Sequence, residues 1–173
     1  MTTPDSAAVR VCFVCLGNIC RSPIAEVVFA TAVAAVGQDH VIAVDSAGTG
    51  AWHVGELADP RARQVAARHD LEIKHRARQF RADDVAKFDI IIVMDRANLA
   101  AVNALVEKAA GAKPEVALLR SFERGASELD VPDPYTGNES DFEHVVAICQ
   151  RATPWLLAHV TERAGLVRSR SES

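Results

Sequence analysis

Four short runs rich in branched apolar residues, Val9 to Cys15, Val41 to Val44, Phe88 to Met94 and Val116 to Leu119, alternate with stretches of helical character along the whole chain. The helical stretches are Pro23 to Val36 closing at Gly37, Leu57 to His69, Arg96 to Ala110 closing at Gly111, and about Ser140 to Ala164 closing at Gly165. The runs are continuously apolar rather than alternating, as strands buried on both faces are. Strand and helix in alternation predict an α/β domain, a parallel sheet with helices on both faces. With 173 residues there is room for one such domain, here set at 1–166, followed by a polar, frayed tail at 167–173.

Composition excludes several classes of function. No apolar run approaches the roughly 20 residues of a membrane-spanning helix. The first residues lack a basic segment followed by an apolar one, so no signal peptide is read and a cytoplasmic location is expected, with signal-independent export left open. A net charge of -4 and a pI near 5.8 argue against bulk affinity for nucleic acid or anionic lipid. The basic run Arg61 to Arg81 carries only Phe80 for stacking, and reads as a solvated face rather than a nucleic-acid groove. Four cysteines, Cys12, Cys15, Cys20 and Cys149, are too few for a disulfide scaffold, and three of them fall within nine residues. That clustering points to chemistry.

The chemistry gathers in the segment CLGNICRSP, residues 15–23, between the first strand and the first helix. Amides at a helix N-terminus have no partners within the helix, and the helix dipole adds positive charge, so a tetrahedral anion is favoured there. Gly17 and Asn18 tolerate positive φ and let successive amides turn inward as an anion nest formed by Leu16, Gly17, Asn18, Ile19, Cys20 and Ser22. Arg21 adds a fork that matches two phosphate oxygens, and Pro23 suits the first helical turn. The same field favours a thiolate on Cys15, with Ser22 placed to donate a hydrogen bond to it. Cys20 could pair with Cys15 on oxidation and protect it from irreversible damage. A rival reading takes Cys12, Cys15 and Cys20 as a zinc or dithiol site, and it fits poorly with Cys12 inside a strand.

The chain resembles the low-molecular-weight protein tyrosine phosphatases. The likeness rests on VCFVCLGNICRSPIAE at 11–26, VDSAGTGAWHVG at 44–55, IIVMDRAN at 91–98 and VPDPYTGNESDFE at 131–143, and AGTGAWHVG looks most like actinobacterial members. It implies a four-stranded parallel sheet in the flavodoxin-like order 2-1-3-4 and a two-step phosphomonoesterase needing neither metal nor cofactor. It places the nucleophile on Cys15, the phosphate-binding arginine on Arg21 and the general acid on Asp133. Ser46 and His75, with Asn18, resemble the polar network that holds the loop, and Asp95 a position near it. Trp52 and Tyr135 look like walls of the substrate cleft. The implied partners are phosphotyrosine proteins, a cognate tyrosine kinase and phosphate-like anions. Asp133 also stands on its own chemistry: a phenolate leaves more easily when a carboxylic acid on a Pro-flanked loop protonates it.

Thr136 departs from the family, which often has a second aromatic there, and Tyr135 is the chain's single tyrosine. Relatives of the same fold reduce arsenate through two further cysteines in mid-chain. Here no cysteine lies between Cys20 and Cys149. A phosphoarginine phosphatase of the fold carries threonine where this loop has Ile19, so the tyrosine reading leads and phosphoarginine is the alternative. A binding module without catalysis would lack Cys15, Arg21 or Asp133, and all three are present.

Overall fold

A computed structural model describes residues 7–171, with side chains described as far as 165. Four parallel strands, β1 (Val9–Cys15), β2 (Ile42–Gly48), β3 (Ile90–Val93) and β4 (Glu115–Leu118), form one sheet in the order β2-β1-β3-β4. The helices are α1 (Arg21–Ala35), α2 (Pro60–Arg68), α3 (Arg96–Lys108) and α4 (Glu139–Ser171). The domain is α/β, with the sheet order that the sequence resemblance implied. Among the described residues no helix is long and apolar enough to cross a membrane.

Two apolar layers follow from the strand period of two. Val11, Phe13, Ile90 and Ile92 face α1 and α4, where they meet Ile24, Phe29, Phe142 and Val146. Phe13 and Phe29 pack edge to face at 5.5 Å. Cys12, Val14, Ile91 and Val93 face the other way, toward Val102, Phe80 and Val85. Because the chain leaves β1 first for β2 on one side and then for β3 on the other, a crevice opens at the carboxyl end of β1. Cys15 ends β1 at that point, opposite Gly48 of β2.

Several boundaries differ from the sequence reading. β2 runs to Gly48 rather than stopping at Val44, because Asp45 and Ser46 are polar strand residues whose side chains are consumed by hydrogen bonds. α2 begins at Pro60 rather than Leu57, with the Asp59 carboxylate accepting from the Arg61 amide as cap. α4 continues through Gly165, since one glycine costs a helix only about 1 kcal/mol. Of the stretch 167–173 read as a tail, 167–171 continue α4, and 172–173 lie outside the described residues.

Candidate active site

The turn from β1 into α1 is held from behind. The Thr49 amide donates to the Cys15 carbonyl, Gly50 to Leu16 and Asp59 to Ile19, each at 2.8 Å. Carbonyls tied outward leave the amides of the same peptide planes, those of Leu16, Gly17 and Cys20, directed into the loop, which is the geometry of an anion nest. Gly48 makes this possible: a β-carbon there would lie 2.7 Å from the Leu16 carbonyl oxygen and 3.0 Å from the Asn18 nitrogen. Any side chain at 48 would push the cradle's own backbone.

Of the two residues that the sequence allowed positive φ, Asn18 takes it (φ 57) and Gly17 does not. Gly17 serves space instead, since a β-carbon there would sit 3.2 Å from the His53 ring. A left-handed asparagine costs of order 1 kcal/mol or more, and it persists because its neighbours over-determine it. Its amide donates to Cys15 Sγ (3.3 Å), and its Nδ2 donates to Ser22 Oγ (2.8 Å) and Ser46 Oγ (3.0 Å). Its Oδ1 accepts from the Arg78 amide (2.9 Å) and from His75 Nε2 (2.8 Å). The Arg78 amide fixes which atom of the side-chain amide is oxygen, so His75 carries its proton on Nε2. Ser22 Oγ lies 3.1 Å from Cys15 Sγ, as the sequence placed it.

Arg21 is buried beside the nucleophile position. Its Nη1 donates to Asp95 (2.6 Å) and to the Val131 carbonyl (3.1 Å), and its Nη2 lies 3.4 Å from Asp133. Burial opposes the charge, but Cys15, Asp95 and Asp133 outweigh it and keep the guanidinium firmly protonated. Asp95 also caps α3 by accepting from the Asn98 amide, so one carboxylate orients both a helix and the arginine. Cys15, Arg21 and Asp133 thus meet in a cleft of about 130 Å³, with Trp52, His53 and Tyr135 as its walls. Trp52 is 71% exposed and Tyr135 49%. The Trp52 ring lies over Gly50, where a β-carbon would fall 1.9 Å from it.

The sequence reading named Cys15, Arg21, Asp133, Asn18, Ser22, Ser46, His75, Asp95, Trp52 and Tyr135, and missed Gly48, His53, Glu26, Arg78 and Arg61. His53 is anchored through Nδ1 to Glu56 at 2.8 Å. Glu26, on α1, accepts a short hydrogen bond from Ser46 Oγ and faces His75 Nδ1 at 3.6 Å. Burial pushes the Glu26 carboxyl up to about 7, against the Ser46 bond, and burial lowers His75. A carboxyl raised in the folded state stabilises fully below its unfolded value and loses that contribution as pH rises through about 7. Glu26→Gln is therefore expected to gain up to about 3 kcal/mol relative to wild type between pH 4.5 and 7, and no more above. Paired thermal melts across that range check it, with His75 the coupled neighbour and Asp45 and Arg78 the other charges in reach. An unchanged difference at all pH values would show that Glu26 does not titrate there.

Cys12 and Cys15, three residues apart on one strand, face opposite layers, so they cannot share a zinc ion or close as a dithiol. Cys20 is free and buried, and burial together with Asp59 pushes its thiol far up. Cys149 is buried in α4, its thiol pushed up to about 12 by burial.

The family model described as low molecular weight phosphotyrosine protein phosphatase matches residues 10–165. A low molecular weight protein-tyrosine-phosphatase of Streptomyces coelicolor is 44% identical over 156 residues, spanning 89% of this chain and 94% of that protein. The crystal structure of an Entamoeba histolytica protein tyrosine phosphatase superimposes with a TM-score of 0.83 at 32% identity, covering 89% of this chain and 97% of that one. A Drosophila arginine phosphatase does so with a TM-score of 0.82 at 29% identity, covering 87% and 96%. Sheet order, cradle and sequence likeness over nine-tenths of the chain agree, and the protein belongs to the low molecular weight phosphotyrosine protein phosphatase family of hydrolases.

Proposed function

We propose that this chain hydrolyses phosphotyrosine in proteins through a phosphocysteine intermediate on Cys15. The observation that carries the reading is the convergence of the Cys15 thiol, the Arg21 guanidinium and the Asp133 carboxyl in one aromatic-walled cleft. In the first step Cys15 Sγ attacks phosphorus, the bond from phosphorus to the tyrosine oxygen breaks, and Asp133 delivers its proton to that oxygen. In the second, water attacks the phosphocysteine while the Asp133 carboxylate takes its proton, and the S–P bond breaks to release inorganic phosphate and the thiolate. Arg21 and the loop amides stabilise the charge on the equatorial oxygens in both steps. Asn18, Ser46, His75 and Asp95 hold the loop and the arginine, and Trp52 and Tyr135 receive the phenyl ring. Cys20 is the redox partner of Cys15. Phosphotyrosine proteins, and through them a tyrosine kinase, are the partners, and the cytoplasm is the place of action, on the sequence reading.

Phosphoarginine is the second reading, supported by the likeness to the Drosophila arginine phosphatase. The apolar Ile19 side chain in the cleft favours the phenyl ring over a guanidinium. The test is hydrolysis of phosphotyrosine, phosphoserine and phosphoarginine peptides by the reduced protein with EDTA present. Dominant turnover of phosphotyrosine is expected. Dominant release from phosphoarginine would reverse the assignment, and a requirement for added metal would overturn the mechanism.

A further inference from the structure

The segment that carries Asp133 closes on itself by short bonds, the Tyr135 amide to Asp133 Oδ1 (3.2 Å) and the Gly137 amide to the Pro134 carbonyl (2.9 Å). These bonds shape the segment but do not fix it against the cradle. Arg61 does both jobs of an anchor. On one edge its guanidinium is locked to Asp59, Nη2 to Oδ2 at 2.8 Å and Nε to Oδ1 at 3.0 Å. On the other edge Nη2 donates to the Tyr135 carbonyl (2.9 Å) and Nη1 to the Gly137 carbonyl (3.0 Å). Its Cζ lies over the Phe142 ring, 4.6 Å from the centroid. Asp59 in turn donates its amide to the Ile19 carbonyl of the phosphate loop. One rigid unit at the start of α2 therefore touches the nucleophile's loop and the acid's loop at once.

We infer that Arg61 is a positioning residue for proton transfer, setting where the Asp133 carboxyl stands relative to the leaving oxygen. The inference rests on the reading of Asp133 as the general acid. A planar fork suits this task, because its fixed donors bind two carbonyls and one carboxylate at once, which lysine cannot do. Upstream, the segment is tied at Val131, whose amide donates to the Met94 carbonyl and whose carbonyl accepts from Arg21. Losing Arg61 would free the Tyr135 and Gly137 carbonyls just downstream of Asp133, leaving its carboxyl held toward the cradle by the 3.4 Å contact with Arg21.

The test compares kcat/KM, which reports the first chemical step, for phenyl phosphate and for 2,4-dinitrophenyl phosphate. The first needs a proton on its leaving oxygen and the second does not. Arg61→Met, which keeps an apolar stem over Phe142, is expected to lose about tenfold or more on phenyl phosphate and about twofold at most on the dinitrophenyl ester. The ratio of the two is independent of how much protein is folded, so partial destabilisation cannot imitate the effect. Asp133→Asn, measured alongside, should show the same selectivity more strongly, and adding Arg61→Met to it should change the ratio no further. If Asp133→Asn is selective while Arg61→Met lowers both substrates equally, or neither, the positioning role is overturned and the acid stands. If Asp133→Asn itself shows no selectivity, the acid assignment fails and the role of Arg61 falls with it.

Discussion

Cys15→Ser is expected to lower the hydrolysis of aryl phosphates on the order of 10⁴-fold or more while leaving the fold and the binding of phosphotyrosine peptides in place. At Cys15 Sγ the Asn18 amide donates at 3.3 Å and the Ser22 hydroxyl lies at 3.1 Å, with the Arg21 guanidinium in the same cleft. Among the described residues no carboxylate or imidazole bonds the sulfur to take a proton from it. A nucleophile in such a setting works by its own nucleophilicity, which a sulfur supplies and a serine hydroxyl without a base does not. The serine oxygen can still accept from the same two groups, so the loop loses little. Phosphopeptide binding by Cys15→Ser, read by fluorescence anisotropy beside its residual turnover, checks both halves. Turnover within about tenfold of wild type would remove Cys15 from the reaction. Loss of binding together with a fallen melting temperature would show that the thiol is structural.

The cradle was legible in the sequence because its properties are local. A thiol, a turn pair, an arginine and a helix-starting proline within nine residues each declare their own chemistry. Even there the choice within the turn pair needs the fold, since the sequence cannot say that His53 crowds Gly17 while five bonds hold Asn18 at positive φ. Glu26 looks like any surface acid of an amphipathic helix until β2 is laid beside it and Ser46 meets it. Arg61 sits in a basic run that reads as a solvated face, yet its partners are carbonyls 74 and 76 residues away. β2 was cut short at Val44 for the same reason: Asp45 and Ser46 weaken the apolar run, and what keeps them in the strand lies on other elements. Bonds between elements distant in sequence leave no periodic trace along it.

Replacing Arg21 with methionine separates catalysis from stability most sharply. Arg21 is 3% exposed and its neighbour Asp95 only 20%, so the loss leaves a carboxylate with one strong partner fewer. That carboxylate still accepts from the Asn98 amide at the start of α3, where the helix dipole favours negative charge. Asp133 is 47% exposed and water can serve it. The stability cost should therefore stay near about 2 kcal/mol, below the 3 to 5 kcal/mol, roughly, of a fully buried pair broken on one side. The transition state loses more. A guanidinium pre-set by two bonds, in the same cleft as the sulfur that attacks, supplies about 10³ to 10⁵ in rate to a transferring phosphoryl group, or about 4 to 7 kcal/mol. Arg21→Lys should recover the stability better than the rate, because an ammonium cannot donate to two equatorial oxygens from one plane while holding Asp95. The measurement is kcat for an aryl phosphate set beside the unfolding free energy of wild type and both variants. A fall in rate that merely tracks the folded fraction would make Arg21 a brace for Asp95 and remove it from the chemistry.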